Sequence, residues 1–223
     1  MPDGQYSFYL HSDDRTDIAA MATISTISQP LRGEFIRTAA TAGAVVYQVD
    51  ARLPALIPVF FAGQLSAVRL CAVMALVSGT WSSLTGLPDE PENGEAALPV
   101  SPETEYQRRR YTLTLQNGRS GERVESVLTE ASSRLRGDLL RNLIITGLAL
   151  HTTAPELPRL LASMPVPPTS VSELQALVQQ MAGTADVNRA AAAVPDTPAA
   201  SAAPVSGADT RERKKNMRRA FGD

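Results

Sequence analysis

The chain repeats part of its own sequence, and this repetition constrains the fold more than any other feature. Residues 31–37 read Leu-Arg-Gly-Glu-Phe-Ile-Arg, and residues 135–141 read Leu-Arg-Gly-Asp-Leu-Leu-Arg. At this spacing of 104 positions four further identities follow, namely Gly43 with Gly147, Leu53 with Leu157, Pro54 with Pro158 and Leu56 with Leu160. Identities at one spacing that include glycine and proline indicate an internal duplication, so the fold must accommodate two related units.

A short alternating segment opens each copy. Residues 5–11 place Tyr6, Phe8 and Leu10 on one side, and residues 110–116 alternate in the same way at a spacing of 105. Alternation with period two predicts a half-buried β-strand. An isolated strand leaves its backbone N–H and C=O groups unpaired, so each strand needs a partner. The two strands can pair antiparallel within one molecule, or with those of a second molecule.

Two helices are predicted after each strand. Polar residues at 12–14 and at 117–120 precede apolar positions at helical spacing, which is typical of a helix start. The Leu-Arg-Gly-(Glu/Asp) element then opens a second helix, which must end before the prolines that follow it. Gly43 and Gly147 fall inside these second helices, where glycine costs roughly 1 kcal/mol relative to alanine. Close helix–helix packing is the physical reason we expect for both.

The predicted fold class is mainly α with short β. It consists of two tandem β-α-α units with additional C-terminal helices each, forming a pseudo-dimer or a dimer. The predicted boundaries are 1–87 for the first unit, 88–104 for an acidic proline-rich linker, 105–182 for the second unit, 183–208 for a disordered Ala/Pro tether and 209–223 for a basic amphipathic tail. The tail has apolar residues only at Met217, Ala220 and Phe221, a spacing that suits a helix folding onto a partner's groove.

Composition excludes several classes of function. The net charge is −2, so any DNA contact would depend on local clusters such as Arg108–Arg110. The single cysteine, Cys71, excludes an internal disulfide, and neither a metal site nor a cofactor is predicted. No nucleophile constellation or phosphate loop is visible, so we expect a non-enzymatic protein. The longest apolar run, 67–77, includes Arg69 and is too short to span a bilayer, which predicts a cytoplasmic protein without a membrane partner.

An alternating strand followed by two helices, paired through the strand, resembles the ribbon-helix-helix family of DNA-binding proteins. More narrowly, the chain is similar to ParR-type adaptors of plasmid segregation, which act with the actin-like ATPase ParM. The similarity rests on three segments: Arg136–Leu139–Arg141 with Gly147–His151, Pro158–Leu161, and Lys214–Phe221 in the tail. It covers the second copy and the tail, and extends more faintly to the first copy. The tandem duplication departs from the family, which usually has one copy per chain.

The resemblance implies a set of contacts. Outward-facing strand residues would contact bases in the major groove: Arg110, Thr112, Thr114, Gln5, Ser7 and Tyr9. The N-termini of the second helices would hold DNA phosphates through Arg32, Gly33, Arg136 and Gly137. The motor-binding residues would be Lys214, Lys215, Asn216, Met217 and Phe221. The implied partners are double-stranded DNA with centromere-like repeats, a ParM-type filament and further copies of the chain on DNA. Because the two strands differ, the DNA site is expected to be asymmetric.

Two other functions fit the same sequence. A ribbon-helix-helix transcriptional repressor or antitoxin would share the DNA chemistry, with the tail binding a toxin. A helical protein-interaction module without DNA binding is favoured by the acidic charge of the chain before the tail. Residues 110–116 are also compatible with an ordinary strand that has one solvated face, and Arg136 and Arg141 with solvated or ion-paired helix positions.

Overall fold

The computed structural model describes residues 4–80 and 107–192 of the chain, with side chains as far as Gly183. The chain divides into a unit of residues 1–187 and a unit of residues 188–223. The described part is mainly helical and contains a two-stranded sheet, which lies in the first unit.

Within the described residues, each copy of the duplication folds as a strand followed by four α-helices. The first copy comprises β1 (Gln5–His11), α1 (Arg15–Ser25), α2 (Arg32–Val49), α3 (Leu53–Phe60) and α4 (Ala67–Ser78), with a 3-10 turn at Gln29–Leu31 before α2. The second comprises β2 (Arg108–Thr114), α5 (Arg119–Glu130), α6 (Arg136–Thr153), α7 (Leu157–Ser163) and α8 (Val171–Ala192). The predicted fold class, two tandem β-α-α units with additional helices, is therefore confirmed.

The duplication extends into the fourth helix of each copy, where the sequences have diverged. The Ser66 hydroxyl caps α4 by accepting from the Arg69 N–H at 3.3 Å. At the same spacing of 104, the Ser170 hydroxyl accepts from the Glu173 N–H at 3.2 Å at the start of α8. A side-chain cap satisfies an N–H that has no partner inside its own helix, so both copies begin this helix by the same device.

The two strands pair with each other inside one molecule. They run antiparallel, with Gln5 opposite Thr114 at one end and His11 opposite Arg108 at the other. The predicted first strand has the observed bounds, whereas β2 begins and ends two residues earlier than the predicted 110–116. Pairing with β1 sets the bounds of β2, and alternation alone could not reveal this. One chain thus supplies both halves of the ribbon.

The second helices, α2 and α6, cross at the two glycines that the duplication places in equivalent positions. A Cβ on Gly43 would overlap the carbonyl oxygen of Leu143, and a Cβ on Gly147 would overlap that of Ala39. Ala39 and Leu143 are themselves separated by 104 positions, so the crossing has pseudo-twofold symmetry. Close helix packing, predicted from the glycines, is confirmed.

The two copies share one hydrophobic core. Helix α2 packs against α5, α6 and α7, whereas α6 packs against α2, α3 and β1. Each second helix therefore contacts the third helix of the other copy. The Phe35 and His151 rings meet edge to face at 4.9 Å between α2 and α6, and buried residues of both copies belong to a single cluster. Within the described residues, the repeats that begin with β1 and with β2 are thus interleaved around one core.

The end of the second repeat differs from its predicted boundary. Helix α8 continues to Ala192, so the beginning of the segment predicted as a disordered tether, 183–208, is helical. Alanine has the highest helix propensity, and three alanines occupy positions 190–192 at the end of the helix. The linker 88–104, the rest of the tether and the tail 209–223 lie outside the described residues. No helix in the described ranges is long and apolar enough to cross a membrane.

Candidate nucleic-acid interface

All six strand residues predicted to contact bases lie on one face of the ribbon. The register pairs Gln5 with Thr114, Ser7 with Thr112 and Tyr9 with Arg110. Directly opposed residues of an antiparallel pair project to the same side, so the six side chains form three cross-strand pairs. Neither strand contains an aspartate or a glutamate. The six residues, called the outer ribbon face below, therefore present hydrogen-bond donors and one cation, Arg110, and neither strand places a carboxylate opposite them.

The opposite face of the ribbon fixes this arrangement. Phe8, Leu10 and Leu113 are buried, and the Phe8 ring stacks on Tyr111 with a centroid distance of 5.2 Å. A slip of one residue would carry these side chains to solvent and reverse every position of the strand. The buried face therefore determines which residues the outer ribbon face presents.

Two arginines on the outer side are held by β1. Arg110 donates to the Ser7 hydroxyl from Nε at 3.3 Å and from Nη2 at 3.0 Å. The Arg108 guanidinium lies 3.5 Å from the centre of the Tyr9 ring, a cation–π arrangement. Arg108 precedes the predicted strand and was missed as a site residue, although the run Arg108–Arg110 was visible as a basic cluster. Both guanidinium groups are thus preoriented next to exposed strand positions.

The N-termini of α2 and α6 flank the ribbon. Gly137, near the start of α6, lies so close to β1 that an added Cβ would be 3.5 Å from the Ser7 carbonyl oxygen. Gly33, its equivalent on α2, is exposed, with Arg37 Nη1 3.8 Å from the position of an added Cβ. Neither helix has a side-chain cap on its first N–H groups. These N–H groups are the ones that bind anions at helix N-termini.

Arg32 and Arg136 serve a local structural purpose in both copies. Arg32 Nε donates to the Ile27 carbonyl at 2.8 Å, and Arg136 Nε donates to the Ala131 carbonyl at 3.2 Å. Each arginine thereby ties the start of the second helix to the end of the first. Arg32 also donates from Nη2 to the Ser25 carbonyl at 3.2 Å. Of the five guanidinium N–H groups on each side chain, these bonds leave three on Arg32 and four on Arg136 for an anion.

Two exposed leucines beside the helix N-termini were not singled out from the sequence. Leu31 is 57% exposed and Leu135 is 59% exposed, and they occupy equivalent positions immediately before α2 and α6. The identity of the two Leu-Arg-Gly segments was visible, but nothing in the sequence marked the leucines as solvent-facing. Their exposure places an apolar side chain next to each candidate phosphate contact.

Burial raises the pKa of the Tyr6 and Tyr111 phenols, which lie on the inner side of the ribbon. At Tyr6 the nearby Glu125 raises the pKa further and Arg136 opposes the shift. At Tyr111 the opposing cations are Arg109 and Arg32. Both phenols are therefore neutral donors at physiological pH. Arg136 and Arg32 act on equivalent tyrosines, which again reflects the pseudo-twofold symmetry.

The predicted motor-binding residues, Lys214, Lys215, Asn216, Met217 and Phe221, lie outside the described residues. Their role remains a prediction from the sequence.

Comparison with known proteins identifies the family. A family model described as "Plasmid stability protein" matches the chain twice, over residues 4–74 and 109–178. The two matches cover well over half the chain and coincide with the two structural repeats. The chain belongs to this family of plasmid stability proteins. No curated protein and no solved structure gives a match. Membership in this family supports a role in plasmid maintenance and confirms the internal duplication.

Proposed function

We propose that this plasmid stability protein binds centromere-like DNA repeats through the outer ribbon face and links them to filaments of an actin-like ATPase through its C-terminal tail. The observation that carries the proposal is the register of the ribbon, which brings all six predicted base-contacting residues to one side. A two-stranded ribbon fits the B-DNA major groove, where each base pair presents a distinct pattern of donors and acceptors.

The chemistry of the outer ribbon face suits base recognition. Arg110 can donate two hydrogen bonds to the O6 and N7 atoms of a guanine, while Thr112 and Thr114 can contact a thymine methyl or a base acceptor. The hydrogen bonds from Arg110 to Ser7 hold the guanidinium over the ribbon before DNA arrives. A preoriented side chain loses less conformational freedom on binding. Sequence preference is therefore expected to depend on Arg110 more than on any other single residue.

The two halves of the ribbon are not equivalent, and this predicts the form of the DNA site. One strand presents Gln5, Ser7 and Tyr9, and the other presents Arg110, Thr112 and Thr114. A symmetric homodimer would favour a palindrome, because symmetry of the protein is mirrored in its site. The single-chain pseudo-dimer is expected to prefer an asymmetric repeat that defines one direction on the DNA.

The role of the tail follows from its sequence. Residues 209–223 carry a basic cluster with Met217 and Phe221 at helical spacing. Several molecules on adjacent DNA repeats would present several tails to one filament end, so each contact can be weak while the array binds firmly. In this mechanism the filament ATPase supplies the chemistry, and the present chain acts only by binding.

The test is fluorescence anisotropy on DNA from the partition region of the parent plasmid, compared with scrambled DNA. Arg110→Ala is expected to weaken binding to the specific site by roughly 10- to 100-fold and to leave binding to scrambled DNA nearly unchanged. Arg159→Ala is the matched control, since Arg159 is an exposed arginine on α7. An Arg110→Ala protein with unchanged site preference would refute the assignment of the outer ribbon face.

A salt series on the same DNA separates this function from that of a protein-interaction module without DNA binding. Contacts to phosphates release counterions, so the affinity must fall steeply as salt rises. Absence of binding at about 50 mM salt, where phosphate contacts are strongest, would favour the protein-interaction module.

A further inference from the structure

In the first copy a buried carboxylate pairs with an arginine of the other copy. The Asp17 side chain is completely buried on α1 and accepts from Arg141 Nε at 2.6 Å and from the His11 N–H at 2.8 Å. Asp14 caps α1 by accepting from the Asp17 N–H at 2.9 Å, and it also accepts from Arg141 at 3.2 Å. The two carboxylates thus accept hydrogen bonds from the first turn of α1 and from the Arg141 guanidinium.

The equivalent place in the second copy has the arginine without the carboxylates. At the spacing of 104, Arg37 corresponds to Arg141, whereas Gly118 and Gly121 correspond to Asp14 and Asp17. A Cβ on Gly121 would overlap the Gln116 carbonyl oxygen, so no acidic side chain fits there. The strands repeat at 105 and the helices at 104, so the second copy has one residue fewer between equivalent strand and helix positions: Asp17 follows Leu10 by seven positions, whereas Gly121 follows Leu115 by six. The shorter connection explains why glycine is required.

A cavity of about 240 Å³ lies where these carboxylates would be. On the α2 side it is lined by Glu34, Arg37, Thr38 and Thr41, and on the other side by residues 115–121 and Ala162. No side chain caps α5. Arg37 is half-buried and forms no ion pair within the described ranges. The cavity therefore combines an unpaired guanidinium with the uncapped start of a helix.

We propose that this cavity binds a carboxylate group supplied from outside the chain, in the place that the Asp17 carboxylate occupies beside Arg141. The planar guanidinium of Arg37 can donate two parallel hydrogen bonds to such a group. Unpaired N–H groups in the first turn of α5 can complete its hydrogen bonding. Glu34 also lines the cavity, and its negative charge favours a singly charged carboxylate over a phosphate dianion. The carboxylate belongs to a small organic acid or to the Asp or Glu side chain of an acidic peptide.

The test uses the full-length chain and amide chemical shifts in NMR. Sodium acetate is titrated to about 100 mM against sodium chloride at matched ionic strength, because salt alone screens charges at these concentrations. We expect saturable shifts at residues 116–121 in the wild-type protein. In Arg37→Gln the affinity is expected to fall by at least about tenfold, the cost of one charged hydrogen bond. Arg134→Gln, which removes an exposed arginine outside the cavity, should leave the affinity unchanged.

Arg37→Lys keeps the charge and guards against a folding defect in Arg37→Gln. This variant should bind acetate more weakly than wild type and more tightly than Arg37→Gln. Absence of saturable shifts in the wild-type protein, or equal affinity in all variants, would overturn the proposal. Shifts with inorganic phosphate or DNA but not with acetate would also overturn it.

A second experiment tests whether the Asp17 position beside Arg141 and the cavity beside Arg37 are equivalent sites. Asp17→Ala removes the internal carboxylate and is expected to open a second acetate site, seen as new saturable shifts at residues 14–17 next to Arg141. A folded Asp17→Ala protein without such shifts would contradict the equivalence.

A short peptide with a central aspartate distinguishes the two sources of the carboxylate, a peptide and a small organic acid. Tighter binding than acetate identifies a peptide ligand, and weaker binding identifies a small acid.

Discussion

Replacement of Gly147 by alanine tests the way in which the two copies are joined. Helix propensity alone predicts that Gly147→Ala stabilises α6 by up to about 1 kcal/mol. The packing predicts the opposite, because the added methyl group would overlap the backbone carbonyl of Ala39 on α2. A backbone carbonyl cannot rotate away, so α2 and α6 would have to separate along their crossing.

The magnitude follows from the cost of overpacking, about 1–3 kcal/mol when flexible side chains can adjust. Here the obstacle is backbone, so we expect a loss near the upper end, about 3 kcal/mol of a total stability of about 5–15 kcal/mol. For a chain of this size such a loss lowers Tm by about 6–12 °C. Urea denaturation followed by far-UV circular dichroism, together with a thermal scan, measures both quantities.

Gly183→Ala is the matched control. Gly183 also lies within a helix, α8, but nothing lies within 4 Å of an added Cβ. The same methyl group should there be neutral or stabilising by up to about 1 kcal/mol. Gly43→Ala should resemble Gly147→Ala, and the double variant should lose less than the sum, because both methyl groups widen the same crossing. A Gly147→Ala protein as stable as wild type would refute the packing described for α2 and α6.

Three further predictions concern other parts of the molecule. The Thr146 hydroxyl is buried without a hydrogen-bond partner in the described part of the chain, so Thr146→Val should raise the free energy of unfolding by about 1 kcal/mol in urea denaturation; a destabilised variant would show that the hydroxyl has a partner. Burial raises the pKa of Asp17 despite hydrogen bonds from His11 and Arg141. The folded state therefore holds the Asp17 proton more tightly than the unfolded state, whose pKa is near 4. The stability gained from this proton is complete below the unfolded-state pKa and is lost as pH rises through the folded-state pKa. Between these two pKa values the free energy of unfolding of wild type should fall relative to that of Asp17→Asn by at most about 1.4 kcal/mol per pH unit. Free energies of unfolding from urea denaturation that change equally with pH in both proteins would contradict the raised pKa of Asp17. Phe221→Ala should leave anisotropy with DNA unchanged and weaken co-sedimentation with filaments; equal loss of both would contradict the separation of roles.

The sequence predicted the elements that depend on local periodicity. The alternation of residues 5–11, the helix start after the polar residues 12–14 and the two glycines at the helix crossing each have a local signature, and the structure confirms them. Duplication supplied the remaining constraint, because it implied a partner for the first strand. Whether that partner belonged to the same chain required the register, which the structure provides.

Other features could not be predicted because they depend on contacts between distant residues. Arg141 meets Asp17 only after the two copies interleave, and the cavity beside Arg37 lies where the second copy has glycines in place of the two aspartates. The position of Arg108 over Tyr9 depends on the strand register. The extension of α8 to Ala192 was missed because composition alone does not separate a disordered alanine-rich segment from a helical one.

The central claim, that the chain connects plasmid DNA to a segregation filament, is tested most directly by inheritance of the parent replicon. Cells carrying the full chain are compared with cells carrying a 1–208 truncation, and binding to partition-region DNA is checked by gel shift in both. We predict that the truncation raises plasmid loss while the gel shift persists, because the ribbon remains intact and only the tail is removed. Unchanged inheritance with an intact gel shift would contradict the adaptor role and favour a repressor that uses the same ribbon.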